Sequence, residues 1–320
     1  MKVTNKMINK DVRLMGSILR KFTSGVTVER YEKQHRRELK KAPTVTSKTL
    51  DVEKMQLKRP DGTEMRTIIV KPKHEVKNIP AVLWLHGGGY VLGYPEDELS
   101  SMEEFINVSD CVMVSPDYRL GLTDCYPAAL EDAYLALKWL YENADDIGGR
   151  KDQIFVIGGS AGGGLTAALC IYARDKGEVP IAFQMPMFPM LDDRGITESA
   201  RDNDAPMWNI NSNTIAWKLY LGDLYGTDDV PAYAAPARLE DFSGLPPAYS
   251  YVGSIEVFCD ETRQYFENLK AAGVECSLDV YEGGFHGFEV FSANKPLGKE
   301  AKRKRNEAFM YAVEHYYSQL

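Results

Sequence analysis

The sequence predicts an α/β fold, a mostly parallel sheet flanked by helices, on three observations. Short, continuously apolar runs recur along the chain, stretches with helical spacing separate them, and the composition is that of a folded protein: 320 residues, 44% apolar, 26% charged. A chain of this length buries roughly 75% of its unfolded surface, so it needs no covalent staples. The five cysteines, Cys111, Cys125, Cys170, Cys259 and Cys276, are odd in number, scattered and without a C-x-x-C pair. Neither a disulfide framework nor a zinc ribbon is indicated, and a reducing cytoplasm fits best.

The first 43 residues hold 12 Lys and Arg against 4 Asp and Glu, whereas the whole chain carries −8. This basic opening reads either as an amphipathic lid touching substrate or an anionic surface, or as an ordinary solvated helix face. Basic residues interrupt every apolar stretch up to Phe22, so no export signal is expected. With no run of 18 apolar residues, no membrane-spanning helix is expected either. Asn107-Val108-Ser109 therefore carries no glycosylation meaning, and the acidic remainder argues against a nucleic-acid partner.

Leu50–Leu57 and Glu64–Val70 read as two strands joined by the turn Arg59-Pro60-Asp61-Gly62. Further strands follow at 81–85, 111–114, 153–157, 248–252 and 277–281, all continuous enough to be buried on both faces. Pro127 opens a helix through Leu130, Ala133, Leu137 and Tyr141, at a position where its missing N–H costs nothing. Residues 191–240 break the rhythm and read as an insertion over the sheet, with an amphipathic helix containing Trp208, Ile215, Trp217, Tyr220 and Leu221. Lys302-Arg303-Lys304-Arg305 lies in a helical pattern and reads as a solvated face. The strand at 277–281 offers an edge through which a homodimer could form.

The sharpest chemical signal is Gly158-Gly159-Ser160-Ala161-Gly162, between an apolar strand and good helix material. A serine at such a strained bend exposes its hydroxyl, while Gly158 and Gly162 let strand and helix backbones approach. No G-x-G-x-x-G and no P-loop string is present, so phosphate cradling is set aside and no cofactor is expected. A serine hydroxyl needs a base and an orienting acid. Of five histidines, His35, His74 and His86 precede the serine, whereas in the α/β-hydrolase elbow that this segment resembles the base follows it. His315 sits on the terminal helix and reads as a surface residue. His286 occupies the glycine-flanked loop Gly283-Gly284-Phe285-His286-Gly287 and is assigned the base. For the acid, Glu256 emerges at the carboxyl end of the strand 248–252, and Asp260 is the alternative, or else a helix N-cap. His86-Gly87-Gly88-Gly89 directly follows the strand 81–85, and its bare N–H groups suit an oxyanion; His86 itself braces the loop.

With these residues in place, the chain resembles the hormone-sensitive-lipase-like branch of the α/β-hydrolase esterases. The matches run in family order through Asp117-Tyr118-Arg119-Leu120, Tyr126-Pro127-Ala128-Ala129, the serine elbow, Glu256 with Asp260-Glu261, and His286-Gly287-Phe288. The resemblance implies Ser160 as nucleophile, Glu256 as acid, His286 as base, and the N–H groups of Gly88, Gly89 and Ala161 as the oxyanion hole. It implies a helical cap from residues 1–48 and 191–240 over a catalytic core of 49–190 and 241–320. The chain departs from the pattern at Gly159, at Glu256 in place of Asp, at Val257 in place of Pro, and at Gly121-Leu122-Thr123. The expectation is a metal-free serine carboxylesterase acting on small, short-chain esters through an acyl-enzyme, with amide cleavage and an inert binding module as rivals.

Overall fold

The turn at Arg59–Gly62 closes a hairpin in which β1 (Leu50–Lys58) and β2 (Glu64–Pro72) run antiparallel, Leu57 opposite Met65. The computed structural model describes residues 1–23, 25–40 and 47–319; residues 24 and 41–46 of the expected cap segment lie outside them. Next come β3 (Ile79–Leu85), β4 (Val112–Pro116), β5 (Gly149–Gly159), β6 (Phe183–Met187), β7 (Ala248–Gly253) and β8 (Cys276–Tyr281). Together they form an eight-stranded sheet in the order β1-β2-β4-β3-β5-β6-β7-β8, antiparallel up to β4 and parallel beyond it.

The helices before the hairpin are α1 (Arg13–Thr23) and α2 (Val28–Glu38). The others are α3 (Leu99–Val108), α4 (Ala128–Asn143), α5 (Ala161–Lys176), α6 (Ile210–Leu221), α7 (Cys259–Ala271), α8 (Phe288–Phe291) and α9 (Pro296–His315). Strand alternation divides the core. On β3, Ala81, Leu83 and Leu85 join Leu137 of α4 and Leu165 of α5, while Val82 and Trp84 join Phe105 of α3 and Phe309 of α9. A third cluster ties the amino terminus to the body: Val3, Ile8 and Val12 pack with Ala205, Ile255 and Phe285.

Five details differ from the sequence reading. The strand β8 lies at the sheet edge and is only half-buried, with Ser277 exposed, rather than buried on both faces. The strand β6 has no counterpart there, because Gln184 and Pro186 interrupt its apolar run; all five of its residues are buried, and the Gln184 side-chain NH₂ donates to the Pro246 carbonyl at 3.0 Å. Pro127 is the N-cap of α4 rather than a residue of its first turn. Trp208 precedes α6, whose N-cap is Asn209. The basic run at 302–305 is not simply a solvated face. Helical spacing turns Arg305 inward to 5% exposure, where its guanidinium lies over the Phe105 ring and pairs with Glu104.

Candidate active site

Ser160 stands between β5 and α5 with φ 60° and ψ −120°, a region that L residues rarely occupy. The surroundings leave it little choice. Its N–H donates to the Met187 carbonyl on the neighbouring strand, and its own carbonyl accepts from Gly164 and Met190. A Cβ on Gly162 would stand 2.0 Å from the Leu85 carbonyl oxygen, so any larger residue would separate α5 from β3. The fold thus holds the hydroxyl at the carboxyl edge of the sheet while burying Ser160 to 8% exposure.

His286 follows β8, and Glu256 follows β7, the adjacent strand. The ring lies between them. Ser160 Oγ is 2.9 Å from His286 Nε2, and His286 Nδ1 is 2.7 Å from Glu256 Oε2. With Nδ1–H donating to the carboxylate, Nε2 is left to accept the serine proton. The second oxygen of Glu256 accepts the N–H of Gly253 at 2.5 Å, which fixes the carboxylate in turn. The rings of Phe188 and Phe258 meet His286 edge-on at 5.1 and 5.2 Å between centroids. Asp260 lies elsewhere: in the first turn of α7, whose N-cap is Phe258, it accepts the Ser199 N–H at 2.6 Å. His315 is on the exposed end of α9, stacked on Tyr311.

The loop after β3 turns sharply at Gly88, whose φ of 121° and whose close approach to Leu92 admit no side chain. His86 is buried, which pushes its pKa down, so it is neutral; its Nδ1–H donates to the Gly87 carbonyl at 2.7 Å, and its ring stacks on Tyr118. Ala161 is the first residue of α5, so its N–H has no partner within the helix. Trp208 closes over Gly89, its ring 2.4 Å from where a Cβ would be.

A cavity of about 370 Å³ opens onto Ser160 and His286. Its wall includes Phe188, Tyr251, Glu98, Glu289 and Arg305, none of which the sequence reading assigned to the site. Phe188 adjoins the elbow with φ 35°. No motif marks the two glutamates, and only the folding of α3 and α8 brings them to the cavity.

Residues 82–290 match the family described as alpha/beta hydrolase fold. The chain belongs to this hormone-sensitive-lipase-like family. It is accordingly a hydrolase of the α/β fold. Among its relatives, the esterase LipI of Mycobacterium tuberculosis is 34% identical over 70% of each chain. The carboxylesterase NlhH of the same species is 33% identical over 70% of this chain and 71% of its own. Of solved structures, a bacterial heroin esterase superposes with a TM-score of 0.85 at 28% identity, covering 97% of this chain and 99% of that one. An esterase of Pyrobaculum calidifontis superposes at 0.80 with 30% identity, over 96% and 99%. Among the described residues, no helix is long and apolar enough to cross a membrane.

Proposed function

We propose that this family member is a serine carboxylesterase that hydrolyses short-chain esters through an acyl-enzyme. The observation that carries the reading is the bonded line from Ser160 Oγ through the His286 ring to Glu256, at 2.9 and 2.7 Å. Ser160 attacks the ester carbonyl as His286 takes its proton at Nε2, and the N–H groups of Gly88, Gly89 and Ala161 hold the oxyanion. His286 then protonates the departing alcohol, and water repeats the sequence on the acyl-enzyme. Glu256 holds the ring through Nδ1–H and stabilises the imidazolium that forms, its own carboxylate fixed by the N–H of Gly253.

Residues 1–48 and 191–240 act as the helical cap in this reading, and residues 49–190 with 241–320 as the core. The contacts of Val3, Ile8 and Val12 with Phe285, next to the base, support that division. The modest cavity and the Trp208 ring over the glycine loop favour small acyl groups. The five unpaired cysteines support a reducing compartment such as the cytoplasm, and β8, as the edge strand, is where a homodimer would form.

The test is an initial-rate series on aryl esters of increasing acyl length, with wild type and Ser160→Ala. The expected outcome is a maximum at short acyl chains and a loss of roughly a million-fold in kcat for the variant. Near-wild-type turnover by Ser160→Ala would refute the assignment of the nucleophile.

A further inference from the structure

Glu98 is used by nothing in the mechanism above, yet it borders the reacting centre. It precedes α3 on the wall of the cavity that holds Ser160 and His286. Both of its oxygens are engaged. Oε1 accepts the N–H of Gly87 at 2.7 Å, and Oε2 accepts the indole N–H of Trp84, also at 2.7 Å. Trp84 lies on β3, and Gly87 begins the glycine run that follows it, so one carboxylate ties that run to the strand it leaves. The proximity to the nucleophile is direct: from the position of a Cβ on Gly87, Glu98 Oε1 is 3.4 Å away and Ser160 Cβ is 3.6 Å away. Desolvation pushes the Glu98 pKa up, while the bonds from Gly87 and Trp84 oppose the rise.

We propose that Glu98 is a positioning residue, whose carboxylate fixes the Gly87 peptide so that the following Gly88 and Gly89 N–H groups meet the oxyanion. The inference rests on the esterase reading. An anion this close to a developing oxyanion would by charge alone slow the reaction, so its benefit has to come from geometry. A charge-assisted bond to Gly87 sets the peptide plane from which the next two amides follow. A displacement of about 1 Å in such a group can cost roughly a hundredfold in rate.

Two variants test this, with kcat expressed per active serine after titration by a serine-directed phosphonate. Glu98→Gln presents an NH₂ group to one of the two donors. It is expected to lower kcat by roughly ten- to a hundredfold with KM within about twofold, because the loss falls on the transition state alone. Glu98→Asp keeps the charge but draws the carboxylate back by one methylene, and it too is expected to lower kcat at constant KM. It also serves as the test if the glutamine variant folds poorly. An unchanged or raised kcat in both variants, or a rise in KM with kcat intact, would overturn the role of Glu98. Absence of ester turnover in the wild type would instead count against the esterase reading itself.

Discussion

Glu256 and Asp260 lie four positions apart, and their carboxylates face different partners: the His286 ring for one and the Ser199 backbone for the other. Turnover should therefore separate them. Glu256→Gln leaves a single oxygen for two donors, the Gly253 N–H and the His286 Nδ1–H, and removes the charge that stabilises the imidazolium, so it is expected to lower kcat by roughly ten-thousand-fold, whereas Asp260→Asn costs about 1 kcal/mol of local stability and leaves kcat within severalfold. Steady-state rates of the two variants check this, and the reverse order would move the acid to Asp260. At this scale the sequence is legible wherever glycine marks a site, as around Ser160, His286 and Gly88, because close backbone approach excludes other residues. Glu98 carries no such mark. In Pro95-Glu96-Asp97-Glu98 the three acids are alike on the page, and only the turn into α3 gives Glu98 the Gly87 amide while Glu96 pairs with Arg66.

Each site component leaves the carboxyl end of a different strand: the glycine loop from β3, Ser160 from β5, Glu256 from β7 and His286 from β8. Those four strands lie in one parallel run, so a single sheet edge collects residues 200 positions apart. The continuous apolar strands β3, β4 and β7 were readable for the same reason that they are buried on both faces, whereas β8 at the sheet edge is only half-buried. β6 was not, since its polar Gln184 finds a partner for its NH₂ group 62 residues away, which no local pattern records. Long-range pairing also anchors the chain after β6, where Glu261 of α7 accepts the N–H groups of Leu191 and Asp192 at 2.7 and 3.2 Å. Burial raises the Glu261 pKa well above its ordinary 4.5, and its other oxygen has no partner. The folded state thus holds this proton more tightly than the unfolded chain does. The contribution to stability is full below the unfolded value and fades as pH rises through the folded one. Glu261→Gln keeps an acceptor for both N–H groups and has no charge to bury, so its melting temperature should gain on the wild type by about 2–4 °C between pH 5 and pH 8. A difference between the two proteins that stays constant with pH would contradict this.

Over the whole molecule, the basic opening and the acidic remainder meet where the amino terminus crosses the loop of His286: the Asn9 N–H donates to the Gly283 carbonyl, and Gly16 of α1 packs on Phe285. Composition showed the asymmetry, but not this contact, nor those beside it, where the Val3 N–H donates to Asp204 and Gly16 packs on Pro206. The same helix leaves Leu14 at 79% exposure, so its apolar residues are not all spent on packing. What the fold does achieve is to bring one hydroxyl, one imidazole and one carboxylate into line beside amides that bear no side chains. The most direct test is mass spectrometry of the intact and digested protein after exposure to an aryl dialkyl phosphate. A single phosphoryl adduct on Ser160, formed with release of one equivalent of phenolate and abolished in His286→Ala, is the result expected. An unmodified Ser160, or an adduct formed equally well without the imidazole, would contradict the account.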